Sequence, residues 1–173
     1  MVQLHKLLGS RVAIKILAFL LKNSSAEFSQ TAVRKELKIA KLSASRWLEF
    51  MEENGIVKKS AAGRTLLYRL SRDNIIAKQL KILFILSDLE DKIGNLQTEA
   101  QIYLFGSASR GEDTEQSDID LLVIGTDRSL AARLKALDTR IKVSFFTPVE
   151  WLRMSKEDRA FYERVEKDRI RLV

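Results

Sequence analysis

The stretch that decides the fold is LFGSASRGEDTEQSDIDLLVIG, residues 104–125, in the second half of the chain. Its last part, Asp118–Ile124, has the apolar, β-branched composition of a buried strand. Asp118 and Asp120 are two residues apart, so on a strand their carboxylates project from the same face. Two such carboxylates repel each other unless a cation lies between them. The pattern therefore predicts a site for a divalent ion that prefers oxygen ligands, Mg²⁺ or Mn²⁺.

A glycine turn precedes this strand. Gly106 and Ser107 follow a shorter apolar run, Gln101–Phe105, which we interpret as a neighbouring strand. Backbone N–H groups and a hydroxyl in such a turn can bind phosphates that a metal ion carries. We therefore expect a phosphate-bearing ligand where the two strands meet the turn.

The same stretch closely resembles the signature of the minimal nucleotidyltransferases of the DNA polymerase beta superfamily. That signature is a strand, Gly-Ser, a loop with Arg-Gly, and Ser-Asp-x-Asp entering a hydrophobic strand; its residues here are Phe105, Gly106, Ser107, Arg110, Gly111, Ser117, Asp118 and Asp120. The resemblance implies that Asp118 and Asp120 are catalytic and bind the metal. It also implies a nucleotide-binding set of Gly106, Ser107, Arg110 and Ser117. Members of the family transfer a nucleotidyl group from a nucleoside triphosphate to an acceptor hydroxyl and release pyrophosphate.

The family site usually has a third carboxylate on a later strand, and this chain has no acid at the expected place. That place is RIKVSFFTP, residues 140–148, which follows a helix expected over residues 129–137. Lys142 takes the position of the carboxylate, with a slip of register to Ser144 left open. A lysine there would disfavour a second metal ion. A carboxylate could also come from elsewhere, but we expect the acids of the preceding loop to be solvated: Glu112, Asp113 and Glu115.

The excess positive charge of the chain lies in its first half. Residues 1–75 contain 14 Lys and Arg against 6 Asp and Glu, whereas residues 76–173 contain 16 against 17. This asymmetry predicts two modules, the first of which faces a polyanion.

There is no Cys, and His5 is the only histidine. The absence of Cys excludes disulfides and thiolate metal sites. A single histidine also argues against a Ser-His-Asp triad or an imidazole zinc site.

Three helices and a hairpin are predicted in the basic half. The first helix follows an N-cap at Ser10, the second spans residues 30–37, and the third covers KLSASRWLEFMEENG, residues 41–55. Two β-prone runs, IVKKS and TLLYRL, then form a hairpin around an Ala-Ala-Gly-Arg turn. The segment LSASRWLEFMEENGIVKKSAAGRTLLYRL resembles the bacterial and archaeal winged-helix regulators, which implies a DNA-binding module.

The third helix and the hairpin carry the residues that this resemblance implies for DNA contact. They are basic or small, namely Lys41, Ser43, Ser45 and Arg46 on the helix, and Lys58, Lys59 and Arg64 on the hairpin. The helix residues would approach bases or phosphates, while Arg64, at the hairpin tip beside Lys58 and Lys59, would approach a minor groove. Docking of a protein by this module is the alternative.

Together these patterns predict an α/β (α+β) chain. It would consist of a winged helix-turn-helix domain at residues 1–72, a connecting helix at residues 73–95 capped by Asp73, and a nucleotidyltransferase-type mixed sheet flanked by helices at residues 96–173. The connecting helix is apolar on more than one side, which favours a homodimer.

The N-terminal apolar run is interrupted by Lys15 and is too short for a membrane span or an export signal. We therefore expect no membrane association and a cytoplasmic location.

Two functions from different classes follow from this organisation. The first is a Mg²⁺-dependent nucleotidyltransferase that its winged helix localises to DNA or to a partner. The second is a DNA-binding protein for transcription regulation, whose transferase-like domain senses nucleotide or mediates assembly without turnover. An antitoxin-like role beside a toxin is a third possibility.

Overall fold

A computed structural model describes residues 4–173, which divide into two compact units between Lys78 and Gln79. The first unit contains α1 (Leu4–Leu8), α2 (Arg11–Lys22), β1 (Phe28–Ser29), α3 (Gln30–Leu37), α4 (Lys41–Glu53), β2 (Val57–Ala62) and β3 (Thr65–Leu70). Helix α5 (Ile75–Ile93) begins there, and the second unit continues with β4 (Gln101–Phe105), a 3₁₀ turn (Ala108–Arg110), β5 (Ile119–Ile124), α6 (Ser129–Leu137), β6 (Ile141–Phe146), α7 (Pro148–Glu157), α8 (Arg159–Asp168) and β7 (Ile170–Arg171). Within this described part of the chain, no helix combines the length and the apolar character needed to cross a bilayer.

The first unit is a winged helix. Its antiparallel sheet has the order β1-β3-β2, and α3 and α4 form the helix-turn-helix that precedes the β2–β3 hairpin. The hairpin turns at Gly63 and Arg64 alone, because β2 extends through both preceding alanines. The sequence did not predict α1 or β1, since elements of five and two residues show too little periodicity to be recognised.

The buried face of α4 is the one that its periodicity predicts. Ala44, Leu48 and Met51 are fully buried. Gly55 follows the helix with a φ of +71°, a left-handed conformation that glycine adopts without strain. At the other end, Ala40 has no side chain that could cap the helix, which leaves the first N–H groups open.

The second unit is a four-stranded mixed sheet with the order β6-β5-β4-β7. Strands β5 and β6 are parallel and are connected through α6, whereas β4 is antiparallel to both of its neighbours. Apolar residues of α5 and α6 pack on one face, and those of α7 and α8 pack on the other. The predicted fold class, a winged helix followed by a mixed sheet flanked by helices, is confirmed.

Asn74 caps α5, so the prediction of Asp73 as the cap is wrong. The Oδ1 atom of Asn74 accepts hydrogen bonds from the N–H groups of Ile76 and Ala77 at 2.8 and 3.0 Å. Asp73 instead lies 3.2 Å from the ammonium of Lys58. Both residue types are good N-caps, so sequence alone does not distinguish two adjacent candidates.

Candidate active site

The paired carboxylates lie where β5 begins. Asp120 is the second residue of the strand and Asp118 immediately precedes it, so the strand starts one residue later than predicted. Alternation along β5 places Asp120 on the same face as Leu122, which is the face that α7 and α8 cover. Asp118 is exposed and Asp120 is half-buried. The pair therefore occupies the rim of a packed sheet face, open to a ligand.

The surroundings of Asp120 disfavour its charge. Burial raises the pKa of this carboxyl and the Asp118 carboxylate raises it further, whereas the positive charges of Arg164 and Lys142 lower it. The balance leaves the pKa above the ordinary aspartate value. A cation bound beside the pair would favour the ionised form and remove this cost.

The donor set at this position fits a hard divalent ion. Mg²⁺ is commonly bound by one or two carboxylates together with substrate phosphates and water. Across residues 4–173, no group of three or more acidic or histidine side chains is arranged to hold a metal.

The Gly106 turn lies directly against Asp120. Gly106 has a φ of +78°, and a Cβ atom added there would come within 2.6 Å of Oδ2 of Asp120. Only a residue without a side chain permits this approach of backbone to carboxylate. The carbonyl of Ser107 accepts hydrogen bonds from the N–H groups of Arg110 and Glu112, which close the turn into a compact loop.

Two carboxylates hold the guanidinium of Arg110. Its Nε donates to Glu112 at 2.9 Å and its Nη1 donates to Asp168 of α8 at 2.7 Å. These hydrogen bonds, that to Glu112 first, raise the pKa of Arg110. The side chain therefore connects the glycine loop to α8, and its contact with a nucleotide stays a prediction.

The segment that leads to Asp118 is held by its own polar groups. The N–H of Thr114 donates to Oγ of Ser117 at 2.9 Å, so this hydroxyl already has a structural role.

Asp113 was expected to be solvated, and that expectation is wrong. Its side chain is buried, with Oδ1 3.3 Å from Nζ of Lys81 on α5. The sequence contained one indication of this ion pair. Lys81 is four residues after the buried Ala77, so a charged side chain lies on a buried face of α5 and requires an acidic partner.

Lys142 stands beside Asp120. The parallel register pairs Asp120 with Lys142 and Leu122 with Ser144, so Lys142 rather than Ser144 lies beside Asp120. Paired residues on adjacent strands project to the same face, about 5 Å apart. A positive charge therefore occupies the position next to the carboxylate pair.

Arg164 is a candidate that the sequence analysis missed. Phe161 of α8 packs edge-on against Phe105, with ring centroids 6.1 Å apart. The Cζ atom of Arg164 lies 5.6 Å from the centroid of the Phe161 ring. Since Phe105 pairs with Asp120 across β4 and β5, α8 places Arg164 at the carboxylate end of the sheet.

A separate cleft of about 1000 Å³ lies at the opposite end of the same sheet. Its walls include Tyr103, Trp151 and Tyr162, and it contains none of the predicted site residues. A cleft of this size, lined partly by aromatic side chains, is common at ligand sites. We locate the candidate active site at Asp118 and Asp120 instead, because paired carboxylates against a glycine turn supply the chemistry for phosphates.

The candidate nucleic-acid interface lies on α4 of the first unit. Lys41 and Arg46 are exposed, Ser43 is half-buried, and the hydroxyl of Ser45 donates to Glu49 at 2.9 Å. The sequence analysis did not include Leu42, whose 81% exposure is high for a leucine. An apolar side chain on the leading turn of such a helix can contact the methyl group of thymine.

Lys58 and Lys59 lie towards the base of the hairpin, so the expectation that they flank Arg64 at its tip is wrong. Their ammonium groups lie 3.2 Å from Asp73 and 3.4 Å from Glu52, respectively. Each strand residue advances about 3.3 Å, which separates these lysines from the turn. Of the three basic residues predicted for the hairpin, Arg64 alone lies in the turn, beside Gly63.

Comparison with known proteins matches residues 85–171 to the family described as the nucleotidyltransferase domain. No curated protein matches the chain. Among solved structures, reduced HlyU from Vibrio cholerae N16961 is 23% identical, with 47% of this chain and 80% of that chain covered and a TM-score of 0.40. The homodimeric winged helix-turn-helix DNA-binding domain of Mb0332 from Mycobacterium bovis is 19% identical, with coverage of 54% and 82% and a TM-score of 0.43. A candidate nucleotidyltransferase from Sulfolobus solfataricus is 20% identical, with coverage of 56% and 84% and a TM-score of 0.31.

Proposed function

The chain belongs to the nucleotidyltransferase domain family, and we propose that its second unit binds a nucleoside triphosphate with a divalent metal ion and transfers a nucleotidyl group to an acceptor hydroxyl. The observation that carries this proposal is the close approach of the Gly106 turn to Asp120 beside Asp118. Carboxylates for a metal and backbone N–H groups for phosphates then meet at one end of the sheet.

The residues of the site would have separate roles in metal binding, phosphate binding and positioning of the loop. Asp118 and Asp120 would hold Mg²⁺ or Mn²⁺, which when bound neutralises phosphate charge. The backbone of Gly106 and the hydroxyl of Ser107 would bind phosphate oxygens, and Arg110 would keep the loop against α8. Positioning and electrostatic stabilisation account for most of the acceleration of phosphoryl transfer, so the rigidity of this loop matters.

Transfer of label tests the proposal directly. The protein is incubated with labelled nucleoside triphosphates, Mg²⁺ or Mn²⁺ and candidate acceptors, beside Asp118→Asn and Asp120→Asn. We expect transfer that either substitution abolishes, because each removes a metal-binding charge. Asp91→Asn is the matched control, since Asp91 is an exposed aspartate of α5. Transfer that survives both site substitutions would contradict the assignment.

A second candidate function is a DNA-binding regulator, or an antitoxin-like protein, that binds nucleotide without turnover. The register of Lys142 opposite Asp120 favours it, because it sets a cation rather than a carboxylate beside the proposed metal ligands. Nucleotide binding without any transfer of label, in the same experiment, would support this function over the enzymatic one.

We also propose that the first unit binds DNA through α4 and the tip of the hairpin. The support is electrostatic, since residues 1–75 carry 14 basic against 6 acidic side chains, and Lys41, Arg46 and Arg64 are exposed. Basic, exposed side chains on the leading turns of a helix suit phosphate and base contacts in a major groove.

Helix α5 is the element on which we base a homodimer. Two of its large apolar residues, Ile75 and Leu83, are 64% and 54% exposed. Association of two copies would remove this apolar surface from water. Light scattering after size-exclusion chromatography should give a dimer for the protein and a monomer for Leu83→Asp; a monomeric wild-type protein would contradict the proposal.

A further inference from the structure

We propose, on the basis of the nucleotide site described above, that Lys142 and Arg164 form a phosphate-binding pair of cations beside Asp120. The ligand class is a nucleoside triphosphate carrying one divalent ion. The two side chains would take over charge neutralisation that a second metal ion would otherwise provide.

Lys142 is positioned by the sheet. Its backbone pairs in register with Asp120, so both side chains project from the face that α7 and α8 cover. Strand β6 is an edge strand, and Lys142 is exposed. No carboxylate of the described residues lies within ion-pair distance of its ammonium, so the charge is available to an anionic ligand.

Arg164 reaches the same end of the sheet through aromatic packing. Phe105 pairs with Asp120, and Phe161 packs on Phe105 at 6.1 Å between ring centroids. Arg164 covers the Phe161 ring at 5.6 Å. A guanidinium stacked on a ring keeps its N–H groups at its edge, where they can form a fork with phosphate oxygens.

A second contact fixes the helix that carries Arg164. Asp168 is four residues later on α8, so the two side chains share a helix face. Asp168 accepts a hydrogen bond from Arg110 of the glycine loop at 2.7 Å. Arg164 therefore lies one turn from a contact between α8 and the loop that would bind phosphates.

Arg164 differs in its ion pairing from other arginines on the same face of the unit. Arg110 is paired with Glu112 and Asp168, and Arg169 is paired with Glu166. Within the part of the chain that the structure describes, Arg164 has no such ion pair and acts on Asp120 only through its field. An unpaired cation beside two carboxylates and a glycine turn suits a polyphosphate better than a neutral ligand.

Calorimetric titration with α,β-methylene nucleotide analogues in Mn²⁺ tests the pair on the full chain. We expect Lys142→Ala and Arg164→Ala each to weaken nucleotide binding about 10-fold, as the loss of a charge-assisted phosphate contact does. Arg164→Lys should retain part of the affinity. The matched controls, Lys135→Ala on α6 and Arg159→Ala on α8, should bind as wild type, because α6 packs on the other sheet face and Arg159 is exposed and paired with Glu163.

The signal of free Mn²⁺ in electron paramagnetic resonance supplies a readout independent of transfer. We expect one Mn²⁺ ion taken up per bound nucleotide. If the wild type binds nucleotide but both alanine variants bind equally well, or if two ions are taken up, the phosphate-binding pair is refuted while the nucleotide site stands. If the wild type binds no nucleotide, the proposed function and the pair both fall.

Discussion

Asp120 shows at the scale of one residue how a candidate site conflicts with stability. The side chain is half-buried, Asp118 lies two residues away, and the Gly106 turn approaches its carboxylate. Burial and then Asp118 raise the pKa of Asp120, so at neutral pH the folded protein carries a charge that its surroundings disfavour. Perturbed carboxyls of this kind are common where a ligand supplies the missing charge.

We therefore expect Asp120→Asn to stabilise the metal-free protein at neutral pH while removing metal binding. The gain should be below about 1 kcal/mol, because the site is partly open to solvent. A raised pKa in the folded state means that the folded protein binds the proton more tightly than the unfolded chain does. The stability of the wild type therefore rises as pH falls through the pKa of folded Asp120. The gain from Asp120→Asn should therefore shrink as pH falls through the raised pKa of folded Asp120, and it should be absent below the ordinary aspartate pKa of about 4.

Urea unfolding at several pH values, without metal, measures this difference. Asp91→Asn serves as the control for a general effect of charge. A variant less stable than wild type at neutral pH would show that Asp120 makes a stabilising contact, contrary to the balance of charges described above.

At the scale of elements, ion pairs between helices and loops hold the site strands in place. Asp138 lies between α6 and β6, and it accepts hydrogen bonds from Lys92 of α5 at 2.9 Å and from both the backbone and the guanidinium of Arg140. Lys92 also contacts Asp88 at 2.7 Å. This cluster anchors the start of β6, the strand that carries Lys142.

We expect Asp138→Asn to destabilise the protein by about 1–2 kcal/mol at neutral pH, because charge-assisted hydrogen bonds in a partly buried cluster are lost and solvent screens part of their strength. Hydrogen bonds from Arg140 and then Lys92 lower the pKa of Asp138 far below its usual range. The stability from this group is therefore present above the ordinary aspartate pKa of about 4 and is lost as pH falls below it.

The measurement is the difference in unfolding free energy between wild type and Asp138→Asn across this pH range. The difference should be largest near neutrality and should decrease in acid, whereas a surface carboxylate with no partner in the fold would give a difference that does not depend on pH. A difference that does not change with pH would mean that the cluster contributes through shape rather than charge.

At the scale of the whole molecule, charge is divided between the two units. Residues 1–75 hold an excess of basic side chains, whereas residues 76–173 are almost balanced. A polyanion is therefore expected to engage the first unit and to leave the phosphate chemistry of the second unit to a small ligand.

We expect duplex DNA to bind with an affinity that falls steeply with salt, since bound basic side chains release counterions. Arg46→Ala and Arg64→Ala should each weaken binding about 10-fold and reduce the slope of log affinity against log salt by about one. Fluorescence anisotropy over a range of salt concentrations measures both. Arg159→Ala, on the second unit, is the control, and unchanged affinity in both first-unit variants would contradict DNA binding by α4 and the hairpin.

The sequence by itself determined the features that depend on neighbouring residues. Helices α3 and α6 and strand β4 have the predicted bounds, because caps, periodicity and turns are local signals. The pairing of Asp118 with Asp120, and the glycine turn before them, were likewise readable because they lie within one short stretch. The cap of α5 and the start of β5 were each wrong by one position.

Only the tertiary structure decided which distant side chains meet. The choice between Lys142 and Ser144 depended on the register of two strands connected through a helix, and a slip is not visible in either strand alone. The partner of Asp113 is 32 residues away, and Arg164 reaches the site because α8 packs on Phe105. Contacts between elements follow from how the faces pack rather than from the pattern within any one element, and for that reason the charges around Asp120 became visible only in the folded chain.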